Sequence, residues 1–187
     1  MLKEINLRDH FLIALDNDRT SPFHRAVVYI CEHDKYGSMG LIINHLSGLH
    51  LNDIFSSMQI VANKSTDFGM PIFTGGPVKE NAGFVLHRNE GIWESSLQTS
   101  KKLAVTSSKD IIHAFANNNG PKESLITLGF SGWQVGQLEA EIASNVWLVC
   151  QANDDIIFNV PIAQRWNAAI ESMGFNQSQL VTDIGHA

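Results

Sequence analysis

Cysteine and charge are both scarce in this chain of 187 residues. Its two cysteines, Cys31 and Cys150, are too few for a disulfide framework and lack the spacing of metal-ligand pairs. Charged residues make up 17% of the chain, below the usual quarter, and the formal net charge is -6. No helix-turn-helix, aromatic RNA-binding motif or zinc finger is present. Because binding along a phosphate backbone needs a basic surface, direct nucleic-acid binding is not expected.

Long apolar segments are absent as well. The N-terminal stretch MLKEINLRDH mixes charges of both signs and contains no apolar core of a secretory signal. The densest apolar run, AVVYIC at residues 26–31, has six residues, far short of the ~20 that span a bilayer. We therefore expect a cytoplasmic protein in a reducing compartment, with no membrane partner.

The chain does contain enough apolar residues for a sizeable core. Hydrophobic residues make up 44% of it, close to the globular norm, and its length fits one domain. In residues 25–33 apolar side chains occupy both odd and even positions, which is typical of a strand covered on both faces. Residues 38–44 are predicted to form the second arm of a hairpin with this strand. No repeat or linker interrupts the sequence. We predict a single α+β domain over residues 1–187, with the tail 175–187 partly ordered at best.

Helices and a second hairpin follow from the remaining pattern. A short helix is predicted at residues 51–58, with Asn52 as its N-cap, and another at residues 134–144. Residues 145–150 and 155–160 are apolar and flank an Asn-Asp pair, so they are predicted to form a hairpin. Helices inserted between hairpins favour an α+β fold over a doubly wound sheet.

The stretch CEH is the first candidate for chemistry. On strand periodicity Cys31 and His33 point the same way and Glu32 points to the other side. A thiol and an imidazole on one face are what a cysteine nucleophile needs. The alternative is a buried structural cysteine beside a histidine at the wet end of a strand, and the frequent burial of free cysteine favours it. Glu32 and His33 would then orient the following turn.

A glycine pair in FTGGPV is the second candidate. Gly75 and Gly76 would let the backbone approach a ligand closely and would present amides to an anion. The same residues suit a tight turn ended by proline. Neither a phosphate-binding loop nor a dinucleotide-binding loop is present, so the turn is the favoured interpretation.

The third candidate is LGFSGWQVGQLEAEI, residues 128–142. It is not a nucleophile elbow, because Trp133 stands where G-x-S-x-G requires glycine. On a helical wheel Gln134, Gln137 and Glu141 lie together beside an apolar stripe. Such a strip suits the lining of a cleft and equally suits a boundary whose side chains bond back to strand ends; both interpretations stand. The apolar stripe consists of Val135, Leu138 and Ile142.

Metal and cofactor sites are not predicted. The eight histidines form no H-E-x-x-H motif and no ligand pair with cysteine. A Ser-His-Asp set would have to be assembled across the fold, which spacing along the chain does not reveal.

Four stretches together resemble one family. In order they are FLIAL…SPFHRAVVYICEH, GSMGLIIN, FTGGPV…GFVLH and GFSGWQVGQLEAEI…NVWL, and they resemble the signature blocks of the bacterial AlgH/YqgE family. The resemblance implies a compact α+β domain with a coiled, barrel-like and mostly antiparallel β-sheet flanked by helices. It also implies a regulatory role proposed for alginate gene expression. Ser38 departs from the family pattern, in which alanine is usual at that position.

These observations favour a non-catalytic binding or regulatory module for a small molecule or a protein partner. One alternative is a small hydrolase or thiol-dependent enzyme that uses Cys31 or His33. A weaker alternative is a regulator that binds DNA directly. The predicted binding cleft is lined by glycines, amides, carboxylates and aromatic or imidazole rings: Glu32, His33, Asn44, Gly75, Gly76, Trp133, Gln137 and Glu141.

Overall fold

Strands form the framework of the protein, whose computed structural model describes residues 6–175. The prediction for the tail therefore lies, apart from Phe175, outside the described residues. The strands are β1 (His10–Ala14), β2 (Val27–Asp34), β3 (Gly37–Ile42), β4 (Leu46–His50), β5 (Pro71–Thr74), β6 (Val78–Arg88), β7 (Ser96–Gln98), β8 (Leu103–Thr106), β9 (Ser124–Trp133) and β10 (Trp147–Gln151). The helices are α1 (Leu51–Met58), α2 (Asp110–Ala116), α3 (Gln137–Ala143), α4 (Asp154–Phe158) and α5 (Arg165–Glu171).

The strands pair mostly antiparallel in the order β10-β1-β2-β3-β9-β6-β8-β7. Strands β4 and β5 form an antiparallel pair beside this path, and β5 also runs parallel to β9. The sheet curls into a half-barrel. The predicted α+β class and the mostly antiparallel, barrel-like sheet are thus confirmed.

Strand β9 joins the two halves of the sheet. Its first residues pair with β5 and β6, and its last three pair with β3. Between them Gly129 has a φ of +73°, and a Cβ there would lie 2.5 Å from the carbonyl oxygen of Gly76. Glycine at this position lets one strand pair with both halves of the sheet. The strand therefore continues to Trp133, and helix α3 begins at Gln137 rather than at residue 134.

Both faces of β2 are buried, as its sequence predicts. Tyr29 and Cys31 belong to one apolar cluster, which α5 covers. Val28 and Ile30 belong to a second cluster, on the face where α3 packs. Full burial of an aliphatic or aromatic side chain contributes roughly 1.5–3 kcal/mol, so this strand anchors the fold from both sides.

The predicted hairpin over residues 145–160 is wrong. Strand β10 pairs with β1, and residues 154–158 form helix α4 instead of a return strand. Asn153 caps that helix, because its side-chain oxygen accepts a hydrogen bond from the backbone N–H of Asp155 at 2.9 Å. An Asn-Asp-Asp sequence therefore starts a helix here, since acidic residues stabilise the first turn.

The predicted N-cap of α1 is also wrong. His50, rather than Asn52, occupies the N-cap position, and its backbone N–H donates to the Asp53 carboxylate at 2.8 Å. In stabilising the start of α1, the Asp53 carboxylate in the first turn has a larger effect than the side-chain amide of Asn52, which lies two residues after the cap. Among the described helices, none has both the length and the apolar character needed to cross a bilayer.

Candidate functional site

The Cys31 thiol is a core group. Its side chain is fully buried, and the thiol donates to the carbonyl oxygen of Tyr29 at 3.6 Å. Burial raises the pKa of Cys31 far above its ordinary value. Because the thiolate is the nucleophilic form, this side chain is not placed to act as a nucleophile.

A β-bulge separates Cys31 from His33. The pairing of β2 with β3 shifts between Ile30 and Glu32, so Cys31 is the extra residue. One extra residue reverses which face each later side chain occupies. Cys31 therefore packs on the α5 face while His33 contacts α3 on the other. The prediction that the two side chains share a face is wrong.

The structure brings His33 to a hydroxyl and a carboxylate instead. His33 Nδ1 lies 2.8 Å from Ser38 Oγ on β3, and Nε2 lies 3.6 Å from Glu139 Oε1 on α3. The carboxylate favours the tautomer with hydrogen on Nε2, which leaves Nδ1 to accept the serine O–H. Ser38 is only five residues from His33, but Glu139 is far along the chain, so local spacing could not reveal the whole group. Glu32 pairs with Met39 and is not part of this group.

Gln137 and Glu141 do come together, as the helical wheel predicts, and Trp133 joins them. Gln134, the third member of the predicted strip, lies before α3 and contacts it through its backbone N–H. Glu141 Oε2 accepts hydrogen bonds from the indole N–H groups of Trp133 and Trp147, each at 2.8 Å. Its Oε1 accepts from the Gln137 side chain at 2.9 Å, and Gln137 in turn accepts from the backbone N–H of Gln134 at 3.0 Å. The strip therefore bonds back to the ends of β9 and β10, and this accounts for both carboxylate oxygens. Val135 is exposed and lies outside the helix.

The glycine pair packs against the chain itself. A Cβ at Gly75 would lie 2.3 Å from the carbonyl oxygen of Gly129, and one at Gly76 would lie 2.3 Å from that of Phe130. Close approach of two backbones is thus what both positions require. The turn interpretation accounts for Gly75, whose N–H and C=O both bond to neighbouring strands.

Asn44 stabilises the start of β2 through two side-chain hydrogen bonds. Its Oδ1 accepts from the backbone N–H of Val27 at 2.8 Å, and its Nδ2 donates to the carbonyl oxygen of Arg25 at 2.9 Å. Of the eight residues predicted to line a cleft, only Gly76 lines either of the two cavities of residues 6–175 described next. Binding by the remaining seven stays a prediction.

A cavity of about 460 Å³ lies where the β1–β2 loop, the start of β4 and the β5–β6 connection meet. We call it the two-histidine pocket. Two of the four stretches that carry the family resemblance supply lining residues, and His45 and Leu46 directly follow a third. Its lining comprises Arg19, Ser21, Pro22, His24, His45, Leu46, Thr74, Gly76, Pro77 and Glu80.

The two histidines of this pocket have different roles. His45 Nε2 lies 2.9 Å from the carbonyl oxygen of His24, and because a carbonyl only accepts, Nε2 carries the hydrogen. Burial lowers the pKa of His45, so its ring is neutral near pH 7 and Nδ1 keeps a lone pair. His24 Nδ1 is buried and has no hydrogen-bond partner within residues 6–175. Sequence reasoning missed both residues, although each stands within or next to a quoted stretch.

A second cavity, of about 640 Å³, is lined by charges that already neutralise one another. Arg88 forms ion pairs with Glu123, at 2.7 Å, and with Asp154. Lys102 lies 3.6 Å from the same Asp154 carboxylate. Burial raises the pKa of Cys150 in its wall, so that thiol is also poorly nucleophilic. Fewer polar groups in the lining of this cavity lack an interaction partner than in the two-histidine pocket.

Comparisons with known proteins agree with the fold. A family model described as AlgH-like matches residues 11–178. A UPF0301 protein of Saccharophagus degradans is 43% identical over 183 residues, 98% of this chain and 90% of its own. A UPF0301 protein of Legionella pneumophila strain Corby is 44% identical over 182 residues, 97% of each chain.

Solved structures extend the comparison to three dimensions. The solution structure of the AlgH protein from Pseudomonas aeruginosa superposes with a TM-score of 0.80 at 39% identity, covering 100% of this chain and 99% of that one. A Corynebacterium diphtheriae protein shares the fold with a TM-score of 0.69 at 16% identity, over 92% and 90% of the two chains. The resemblance seen in the sequence is confirmed: the chain belongs to the AlgH-like family.

Proposed function

We propose that the protein is a binding module of a regulatory kind, and that the two-histidine pocket is its ligand site. One observation carries the proposal: three separate segments converge on a single cavity, and His24, one of its lining residues, has a buried Nδ1 without a hydrogen-bond partner within residues 6–175. A buried polar atom without a partner is uncommon in native proteins and calls for an explanation. A ligand that supplies the missing hydrogen bond provides one.

The size and position of the pocket support binding. Its volume of about 460 Å³ falls within the range of roughly 300–1,000 Å³ typical of small-molecule sites. The segments around it belong to β4, β5 and β6 on one side and to the loop before β2 on the other. A ligand would therefore contact both halves of the curled sheet, which is how binding could bias their arrangement.

The alternatives have less support. A thiol-dependent enzyme would need an accessible thiolate, and Cys31 is fully buried with a raised pKa. Direct DNA binding would need a basic surface, and the formal net charge is -6. Regulation through a small ligand or a protein partner requires neither.

Narrowing the pocket from its rim should weaken binding. Leu46 lines the pocket and is 56% exposed, whereas Leu49 on the same strand is 40% exposed and lies outside the lining. We expect compounds from a fragment library to shift amide NMR signals around the pocket in the wild type and in Leu49→Trp. In Leu46→Trp the same compounds should bind at least about tenfold more weakly, a loss of ~1.4 kcal/mol. Equal binding by both variants would place the ligand elsewhere.

A second candidate function rests on the contact between Ser38 and His33. Ser38 Oγ would attack the carbonyl carbon of an ester, and His33 Nδ1 would take the hydroxyl proton and return it to the leaving alkoxide. Water would then release the acid and regenerate the serine. Glu139 would hold the ring in the required tautomer. Because alanine is usual at this position in the family, the activity would belong to this chain rather than to the family as a whole.

A fluorophosphonate probe distinguishes an activated serine from an ordinary hydrogen bond. We expect a single covalent adduct by mass spectrometry, absent in Ser38→Ala and retained in Ser56→Ala, which alters an exposed serine on α1. Labelling of His33→Gln should be roughly 100-fold slower, the usual contribution of a general base. If the wild type stays unlabelled while a known serine hydrolase reacts, the hydrogen bond is structural.

A further inference from the structure

We propose that the group anchored in the two-histidine pocket is an oxyanion, a carboxylate or a phosphate carried by a small ligand. This inference rests on the proposed function of the same pocket and adds the chemical class of what binds there. The evidence for this inference is that some hydrogen-bond donors and acceptors of the lining already have partners, whereas others do not. The donors come from two different segments, the β1–β2 loop and β5, so only the folded chain presents them together.

Hydrogen-bond donors dominate the lining. Arg19 is exposed at one side of the pocket and brings a permanent positive charge. His24 Nδ1 is buried and unpartnered within residues 6–175, and Thr74 adds a half-buried hydroxyl. A guanidinium and an imidazole N–H both form charge-assisted hydrogen bonds with an oxyanion, which are shorter and stronger than bonds between neutral groups.

The acidic residues nearby do not cancel this preference. Glu80 is the one carboxylate among the lining residues, and it is exposed, so water screens its charge. Asp18 in the adjoining loop is occupied, since its carboxylate accepts from the Thr20 backbone at 2.9 Å and from the Thr20 hydroxyl at 2.7 Å. Asp16 accepts from the backbone N–H of Asp18 at 2.8 Å. Both loop carboxylates therefore hold the loop; they keep their negative charge, but neither is a lining residue of the pocket.

His45 extends the description of the ligand. Its Nε2–H is used by the His24 carbonyl at 2.9 Å, which leaves Nδ1 as a hydrogen-bond acceptor in a neutral ring. A ligand that satisfies both histidines would carry a donor, such as a hydroxyl or an amide N–H, near its oxyanion. The expected class is thus a small hydroxy- or amide-bearing carboxylate or phosphate.

Histidine side-chain NMR tests the assignment on the intact chain. Inorganic phosphate, lactate and neutral glycerol would each be titrated while the ring nitrogens of His24 and His45 are observed. We expect phosphate or lactate to shift the His24 Nδ1 signal saturably and glycerol to leave it in place. Lactate, which carries a hydroxyl beside its carboxylate, should also shift the His45 signals. The comparison of phosphate with lactate shows which oxyanion is preferred.

Two variants with matched controls give the required specificity. Arg19→Ala and His24→Ala should each weaken oxyanion binding about tenfold or more, the effect expected for a lost charge-assisted bond. The folded state should be little affected, because the backbone carbonyl that holds His45 is retained in His24→Ala. Lys101→Ala and His113→Ala, at exposed sites outside the pocket, should bind like the wild type.

The outcomes separate this inference from the proposed function. If neutral fragments shift the pocket signals while phosphate and lactate do not, the oxyanion assignment is overturned and the binding site stands. If no compound shifts them, both are overturned. Unchanged oxyanion affinity in both Arg19→Ala and His24→Ala would also overturn the assignment, because the anion would then bind elsewhere.

Discussion

Gly76→Ala is expected to cost about 4 kcal/mol of folding free energy, the sum of backbone strain and overpacking. The residue has a φ of +150°, a region that residues with a Cβ rarely adopt. An added Cβ would lie 2.3 Å from the carbonyl carbon and oxygen of Phe130 and 2.4 Å from the backbone nitrogen of Ser131. These atoms belong to β9, so they cannot move away as the end of a flexible side chain could.

Thermal and denaturant unfolding measure this effect. For a chain of this size about 2–4 °C of melting temperature corresponds to 1 kcal/mol, so a fall of about 10 °C or a failure to fold is expected. Gly83→Ala is the matched control, because residue 83 is exposed and no atom lies within 4 Å of its added Cβ. That variant should stay within about 0.5 kcal/mol of the wild type. Equal stability of the two variants would show that the β5–β6 connection yields easily.

The same contact explains why the sequence favoured a turn for the glycine pair without excluding a ligand-binding nest. Two glycines before a proline are compatible with both arrangements. What decides between them is the position of β9, whose carbonyl groups lie where the side chains would be. That strand is some fifty residues further along the chain, beyond the reach of any local pattern. Gly76 nevertheless also lines the two-histidine pocket.

Strand β2 shows what periodicity does and does not predict. Its apolar residues at both parities predicted a strand covered on both faces, and Val27 to Cys31 are all fully buried. The bulge at Cys31 was not predictable, because one unpaired residue changes neither composition nor apolar pattern. Everything beyond the bulge changes face, and for that reason the expected pairing of Cys31 with His33 failed while an unexpected contact with Ser38 formed.

The candidate site was hidden for a related reason. The hydrogen bond from His45 to the carbonyl of His24 joins residues 21 positions apart, and its acceptor is a backbone atom that every residue possesses. Neither histidine forms a recognisable motif with its sequence neighbours. Two quoted stretches and the two residues after a third supply lining residues, but only folding shows that these segments surround one cavity.

Glu141→Ala is expected to destabilise the protein by about 3 kcal/mol, because it leaves two buried indole N–H groups without an acceptor. Trp133 and Trp147 are 7% and 4% exposed, and both donate to the same carboxylate oxygen at 2.8 Å. Their rings also pack edge to face at 5.8 Å, so loosening one disturbs the other. Glu139→Ala is the matched control on the same helix. Its carboxylate side chain is 55% exposed, and exposed ion pairs contribute only ~0–1 kcal/mol.

Lowering the pH should reveal in the wild type how strongly the stability of the fold depends on the Glu141 carboxylate. Burial raises the pKa of Glu141, but hydrogen bonds from Trp147, Gln137 and Trp133 outweigh it and leave the pKa below its ordinary value. A carboxyl with a lowered pKa in the folded state stabilises the protein above its unfolded pKa of ~4.3 and loses that contribution as the pH falls further. Glu141→Gln keeps one side-chain oxygen as an acceptor for the indoles but removes the titrating group. Unfolding free energies measured from pH 7 to pH 3 should therefore fall less steeply below about pH 4.3 in Glu141→Gln than in the wild type. Parallel profiles would mean that other carboxylates dominate acid unfolding and that the indole contacts contribute little.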